Sequence, residues 1–235
     1  MNEVIERMRV LKERVHAATA VADRRKAKSS EKDYTESKAI LGEAISLLVG
    51  ELKSVEEGIG NDELSSTRAH ELAAELADCN GMLGGVCRRE ENFGEAVKWY
   101  DKGRDYEKNK SYDIQNSYNM TNSVAVRILQ DAKSLEAQKG EIDETIKILE
   151  HQVHGPRRDQ SWAWADLGLL YLLRNRTAEA AAAYENFRKN GARASYDSTI
   201  SVLNDVQKSI AASNPPIADG IAQTVHSLMR LRPAR

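Results

Sequence analysis

Two stretches of this chain carry the same residues at the same spacing. The first reads "NGMLGGVCRREENFGEAVKWYDKG" and the second "WADLGLLYLLRNRTAEAAAAYENF". Leu83, Gly84, Ala96 and Tyr100 recur as Leu167, Gly168, Ala180 and Tyr184, each 84 residues later, and Cys87 stands at the offset of Tyr171. Trp164 opens the second copy where Asn80 stands in the first. A glycine inside a helix costs about 1 kcal/mol against alanine, so two at one register need a reason. Close crossing of two helices supplies it: a side chain at Gly84 or Gly168 would hold the partner helix away. Ala96 and Ala180 are expected to serve the same crossing, with the tyrosines filling the space around it.

The glycine cluster Gly81, Gly84 and Gly85 invites a phosphate-loop reading, which the pattern does not support. A nucleotide loop needs G-x-x-x-x-G-K-[ST], or G-x-G-x-x-G after a strand, and neither is present. Val, Ile and Thr nowhere alternate with period two, so no strand is expected. Apolar residues instead recur at helical spacing: Val4, Met8, Leu11, Val15 and Ala18, then Tyr34, Leu41, Ile45, Leu48, Leu52 and Val55.

Ten helices follow from these patterns, at 2–23, 33–57, 62–89, 94–108, 114–138, 141–153, 160–174, 177–190, 195–212 and 216–231. The basic "DRRKAKSSEKD" reads as a turn. Gly58 or Gly60 is placed as a left-handed cap, Asn61 or Asp62 as the next N-cap, Gly140 as a helix break and Gly191 as a C-terminal cap residue. Proline at the start of the last helix is well placed. The expected fold is all-α, a curved right-handed solenoid of about five antiparallel hairpins. Residues 1–60 form an N-terminal hairpin that caps or extends the array. Residues 61–194 hold the repeats (77–110, an enlarged 111–160, and 161–194), and 195–235 form a C-terminal cap.

The spacing W-x2-L-G-x2-Y…A-x3-[FY] resembles the tetratricopeptide repeat family, closely in the second copy and with Asn80 and Cys87 as departures in the first. A further resemblance covers about residues 110–208, through "YNMTNSVAVRIL", "WAWADLGLLY…AAAYENF" and "YDSTISVLNDV". It is to the TRAFs-binding region of stress-activated MAP kinase kinase kinases and bacterial conflict-system proteins. Together the resemblances imply a non-catalytic scaffold or adaptor that binds a protein or peptide on a concave face, and a regulatory component of a bacterial signalling or defence system.

On the repeat frame that face carries Asp78, Gly81, Gly85, Arg88 and Arg89, then Trp162, Ala165, Asp166, Leu169 and Leu173. Asn119 and Asn122 lie between them, where an amide can donate to and accept from a peptide backbone; the alternative is that they are simply solvated. Trp162 is either a partner anchor or packed against the enlarged repeat. The family's carboxylate-clamp residues are not reproduced, which argues against chaperone tails as ligands. Bare backbone at Gly81 and Gly85 would let a ligand approach.

Net charge of −2 argues against a strongly basic nucleic-acid binder. Recognition of RNA or a nucleotide ligand by the same face is the second reading, with Arg88, Arg89, Arg127 and Arg157 supplying positive potential. No nucleophile motif appears, and no enzyme, cofactor or metal is expected. His151 and His154 are three apart, a metal-compatible spacing without an evident third ligand. Cys79 and Cys87 read as reduced core thiols in a cytoplasmic protein. No apolar run is long enough for a membrane span. The long N-terminal helices could also pair two copies about a two-fold axis.

Overall fold

The computed structural model describes residues 2–29, 33–58 and 63–233. Among these the protein is all-helical, without a strand. The helices are α1 (Asn2–Ser29), α2 (Thr35–Glu57), α3 (Glu63–Arg89), α4 (Phe93–Lys108), α5 (Tyr118–Gln130), α6 (Ser134–Ala137), α7 (Lys139–Val153), α8 (Ser161–Leu173), α9 (Thr177–Asn190), α10 (Arg193–Ile210) and α11 (Pro215–Leu231). Chain neighbours pack together: α1 on α2, α2 on α3, α3 on α4, α7 on α8, α8 on α9 and α10 on α11. None of the described helices is long and apolar enough to cross a membrane. The helices fall into two compact units, Met1–Ile114 and Gln115–Arg235.

The repeated pattern has a repeated geometry. A Cβ built on Gly84 would lie 2.9 Å from Cγ and Cδ2 of Tyr100, and one on Gly168 only 2.6 Å from Cε2 of Tyr184. In each unit, therefore, a tyrosine ring rests directly on a glycine backbone. The alanines expected at the crossing, Ala96 and Ala180, are fully buried beside it. The turns match as well. Asn92 N donates to Cys87 O at 3.0 Å, and Arg176 N donates to Tyr171 O at 2.8 Å. Glu91 and Asn175, again 84 apart, take left-handed φ of 63° and 57°.

Several sequence expectations about helix ends need correction. α1 continues through Arg24–Ser29 where a turn was expected, because Arg, Lys and Ala are strong helix formers whatever their charge. Gly58 ends α2 with φ −86°, bonded through its N–H to Ser54 O, and Gly191 is extended at φ −76°, so neither provides a left-handed cap. Gly60, Asn61 and Asp62 lie outside the described residues.

The long helix expected over 114–138 is split. Asp131 is extended and its Oδ1 accepts from Lys133 N at 3.0 Å, an Asx turn that stops α5 and offers the backbone an alternative to helix. Gly140 sits within α7 and breaks nothing.

In the first unit α1 and α2 bury the apolar stripe read from the sequence, including Met8, Leu11, Val15, Leu41, Leu48 and Leu52. Gly42 and Gly50 on α2 have open space where a Cβ would go. They therefore carry the helix cost of glycine with no crossing to offset it. Gly50→Ala is expected to raise stability by about 0.5–1 kcal/mol, read as an increased urea midpoint.

In the second unit α10 packs not only on α11 but on α5 and α8, and α11 packs on α8. Ser209 Oγ on α10 donates to Ile128 O at 2.7 Å, capping a carbonyl in the last turn of α5 that has no partner within its own helix. An aromatic chain runs through the same core: Tyr184 meets Phe187 edge-on at 6.3 Å, and Phe187 meets Tyr196 at 4.8 Å.

Candidate partner-binding surface

The residues placed on a binding face by the repeat frame have different fates in the two units. In the first unit α3 is engaged from within the chain. Lys12 of α1 reaches Asp78 at 2.5 Å and Glu75 at 2.6 Å. Burial disfavours its charge, but the two carboxylates outweigh burial and raise its pKa. Arg89 lies 3.8 Å from Asp23, which also accepts from Tyr34 Oη at 2.5 Å. Arg88 is half-buried in the last turn of α3. Gly81 and Gly85 are buried. The space at Gly85 is filled by Tyr100 Oη, 3.5 Å from a built Cβ, and Arg89 Nη1 at 3.4 Å. The bare backbone at Gly85 thus accommodates the chain's own tyrosine rather than an incoming ligand.

In the second unit, α5 is buried on nearly every side. Asn119 has no exposed surface and Asn122 is 9% exposed, with its Nδ2 donating to Tyr118 O at 2.8 Å. On α8, Ala165, Leu169 and Leu173 are buried, Asp166 is half-buried, and Trp162 is 44% exposed. Among the residues placed on this face, Trp162 is the side chain that offers a large apolar area to solvent.

Arg157 was read as a source of surface potential, yet it is only 6% exposed. It is the centre of a polar knot. Nη1 donates to Gln152 Oε1 at 2.9 Å and to Ser117 Oγ at 3.2 Å, and Nε donates to Gln160 Oε1 at 2.8 Å. Ser117 Oγ itself donates to Gln152 Oε1 at 2.9 Å. The knot ties the loop before α8 to the entry of α5. Arg127, a second arginine of the positive set, donates to Ser123 Oγ one turn back on α5.

His154 Nδ1 donates to Glu150 O at 2.7 Å, and its ring meets Trp164 edge-on at 5.8 Å. Trp164 Nε1 donates to Arg158 O at 2.8 Å. Among the described residues no three His, Cys, Asp or Glu side chains are grouped to hold a metal. Burial pushes the Cys79 thiol up to about 12 and the Cys87 thiol up to about 11, which keeps both protonated and unreactive at neutral pH. Tyr171 is raised first by burial and then by its hydrogen bond to Glu150, 2.5 Å away, while Arg176 lies 4.4 Å over its ring.

No family model matches the chain, and no curated protein matches it. Among solved structures it is similar to BtubC (BKLC) from P. vanneervenii, with a TM-score of 0.41 and 13% sequence identity over 99% of this chain and 95% of that one. At that level the likeness carries nothing about function.

Proposed function

We propose that the protein is a non-catalytic interaction scaffold whose tetratricopeptide-like hairpins form a curved array and bind a protein or peptide partner, with Trp162 as an anchor. The observation that carries this reading is the exposure of Trp162. Ten of the thirteen residues of α8 are buried, yet Trp162, one of its two tryptophans, is left 44% exposed. Tryptophan at the centre of a contact dominates binding energies more than most residue types, because it covers a wide area with few torsions to freeze. Asp166, one turn further along α8, adds a polar contact beside it.

The resemblance over residues 110–208 extends the proposal to a regulatory component of a bacterial signalling or defence system. Recognition of RNA by the same surface draws little support, because Arg157 is buried and Arg89 faces Asp23.

The test is affinity purification from the native cell, quantified by mass spectrometry, with the parent chain and Trp162→Ala side by side. Trp162→Ala is expected to lower retention of the specific partner about tenfold while leaving the melting temperature unchanged. Equal retention by the two proteins would remove Trp162 from the site.

A further inference from the structure

Within the first unit, α1 is held differently from the helices that follow it. Its described buried side chains are Met8, Leu11, Val15, Ala18 and Ala22. Their alternating spacing of three and four makes one coiled-coil seam, narrower than the face of an ordinary core helix. The seam thins toward the C-terminal half of α1, where two alanines bury little apolar area. The seam packs on α2, whose Leu41, Ala44 and Leu48 are buried. The ties from α1 to α3 are polar and partly exposed. Lys12, 22% exposed, bridges Glu75 and Asp78, and Asp23 lies 3.8 Å from Arg89. A thiol sits close to this bridge. Cys79 follows Asp78, stands one turn beyond Glu75 on α3 and has no exposed surface. Burial raises its pKa and the Lys12 ammonium pulls it back.

We propose that α1 is a detachable cover: the surface of α2 and α3 beneath it is a docking site for an amphipathic helix, and the chain fills that site with its own α1. The occupant is defined by what α1 presents there. It needs an apolar seam at heptad spacing to lie on α2, and one cation at the place of Lys12 to meet Glu75 and Asp78. A partner helix of this kind competes with α1, which is tethered and therefore present at high effective concentration. The site lies wholly in the first unit and does not depend on Trp162.

The hold on α1 suits release. A contact made of few buried apolar groups and partly exposed ion pairs opens locally, below the cost of global unfolding. The hairpin of α3 and α4 has no such weakness, since the Tyr100 ring is seated on Gly84. One charge also acts as a lever. An acid in place of Lys12 would stand against Glu75 and Asp78 and push α1 from α3.

The test is labelling of the full chain with N-ethylmaleimide, mapped by mass spectrometry. Lys12→Glu is expected to speed modification of Cys79 about tenfold. Cys87, 3% exposed on the same helix, is expected to keep its rate. Loss of the ammonium alone would slow Cys79, because its thiolate loses a stabilising charge, so acceleration reports uncovering. A synthetic peptide of residues 2–24 is expected to restore protection of Cys79 in the Lys12→Glu chain, and the same peptide carrying Lys12→Glu is not. Three results would each overturn the proposal: Cys79 modified no faster than in the parent, Cys79 and Cys87 accelerated together, or a parent-sequence peptide that restores no protection.

Discussion

Gly168→Ala is expected to destabilise the second unit by about 1–3 kcal/mol, the usual cost of overpacking a well-filled site. It is expected to do so even though alanine is the better helix former by about 1 kcal/mol. The added methyl would sit 2.6 Å from Tyr184 Cε2 and 2.7 Å from Cζ, far inside van der Waals contact. The ring has little freedom to yield. Tyr184 is 4% exposed and packs edge-on against Phe187, which in turn packs on Tyr196. The α8–α9 crossing must therefore open, or the ring must leave its rotamer. Urea unfolding measures the loss as a lower midpoint at unchanged slope. Shrinking the opposing side chain tests the cause: in the Tyr184→Leu background the same glycine substitution should cost clearly less, since the two residues then no longer collide.

Arg157→Met is the second large effect, an expected loss of about 2–3 kcal/mol from broken hydrogen bonds and a poorly replaced buried head group. Methionine keeps much of the apolar stem but none of the three donor contacts. Ser117 Oγ loses a donor, Gln152 Oε1 retains only Ser117, and the loop loses its tie to the entry of α5. Arg157→Lys should recover little, because one ammonium cannot reproduce a planar fork that reaches Gln160 from Nε and Gln152 from Nη1. Equilibrium unfolding gives the magnitude. Faster amide exchange at Ser117 and Tyr118 in both variants would locate the damage at the knot.

What could be read from the sequence was local or periodic. The apolar stripes placed most helices to within a few residues, and the 84-residue coincidence of Gly84 and Gly168 identified the crossing. Tyr100 and Tyr184 supply the atoms nearest the two glycines, since an aromatic ring fills the depth left by a missing Cβ, and Ala96 and Ala180 are fully buried. The break at Asp131 was missed because it depends on one Asx hydrogen bond inside an otherwise helical apolar pattern.

The binding face was harder to read, for a physical reason. A repeat frame says which way a residue points on its own helix. It does not say what a later hairpin will lay against that helix. Asn119 and Asn122 lie on α5, which has α7, α8 and α10 packed on it, and both amides are buried. Arg157 sits in a charged loop with no periodicity to mark it as interior. Its burial follows from where Gln152 and Ser117 come together, 35 residues apart in the chain.

The account rests on one claim: a tyrosine ring seated on bare glycine backbone holds the hairpin together in each unit. Urea unfolding of Gly84→Ala beside Gly50→Ala tests it within a single unit. The predicted result is opposite signs: a loss of about 1–3 kcal/mol for Gly84→Ala, whose methyl would meet Tyr100 at 2.9 Å, and a small gain for Gly50→Ala. A Gly84→Ala protein as stable as its parent, or more stable, would contradict the account.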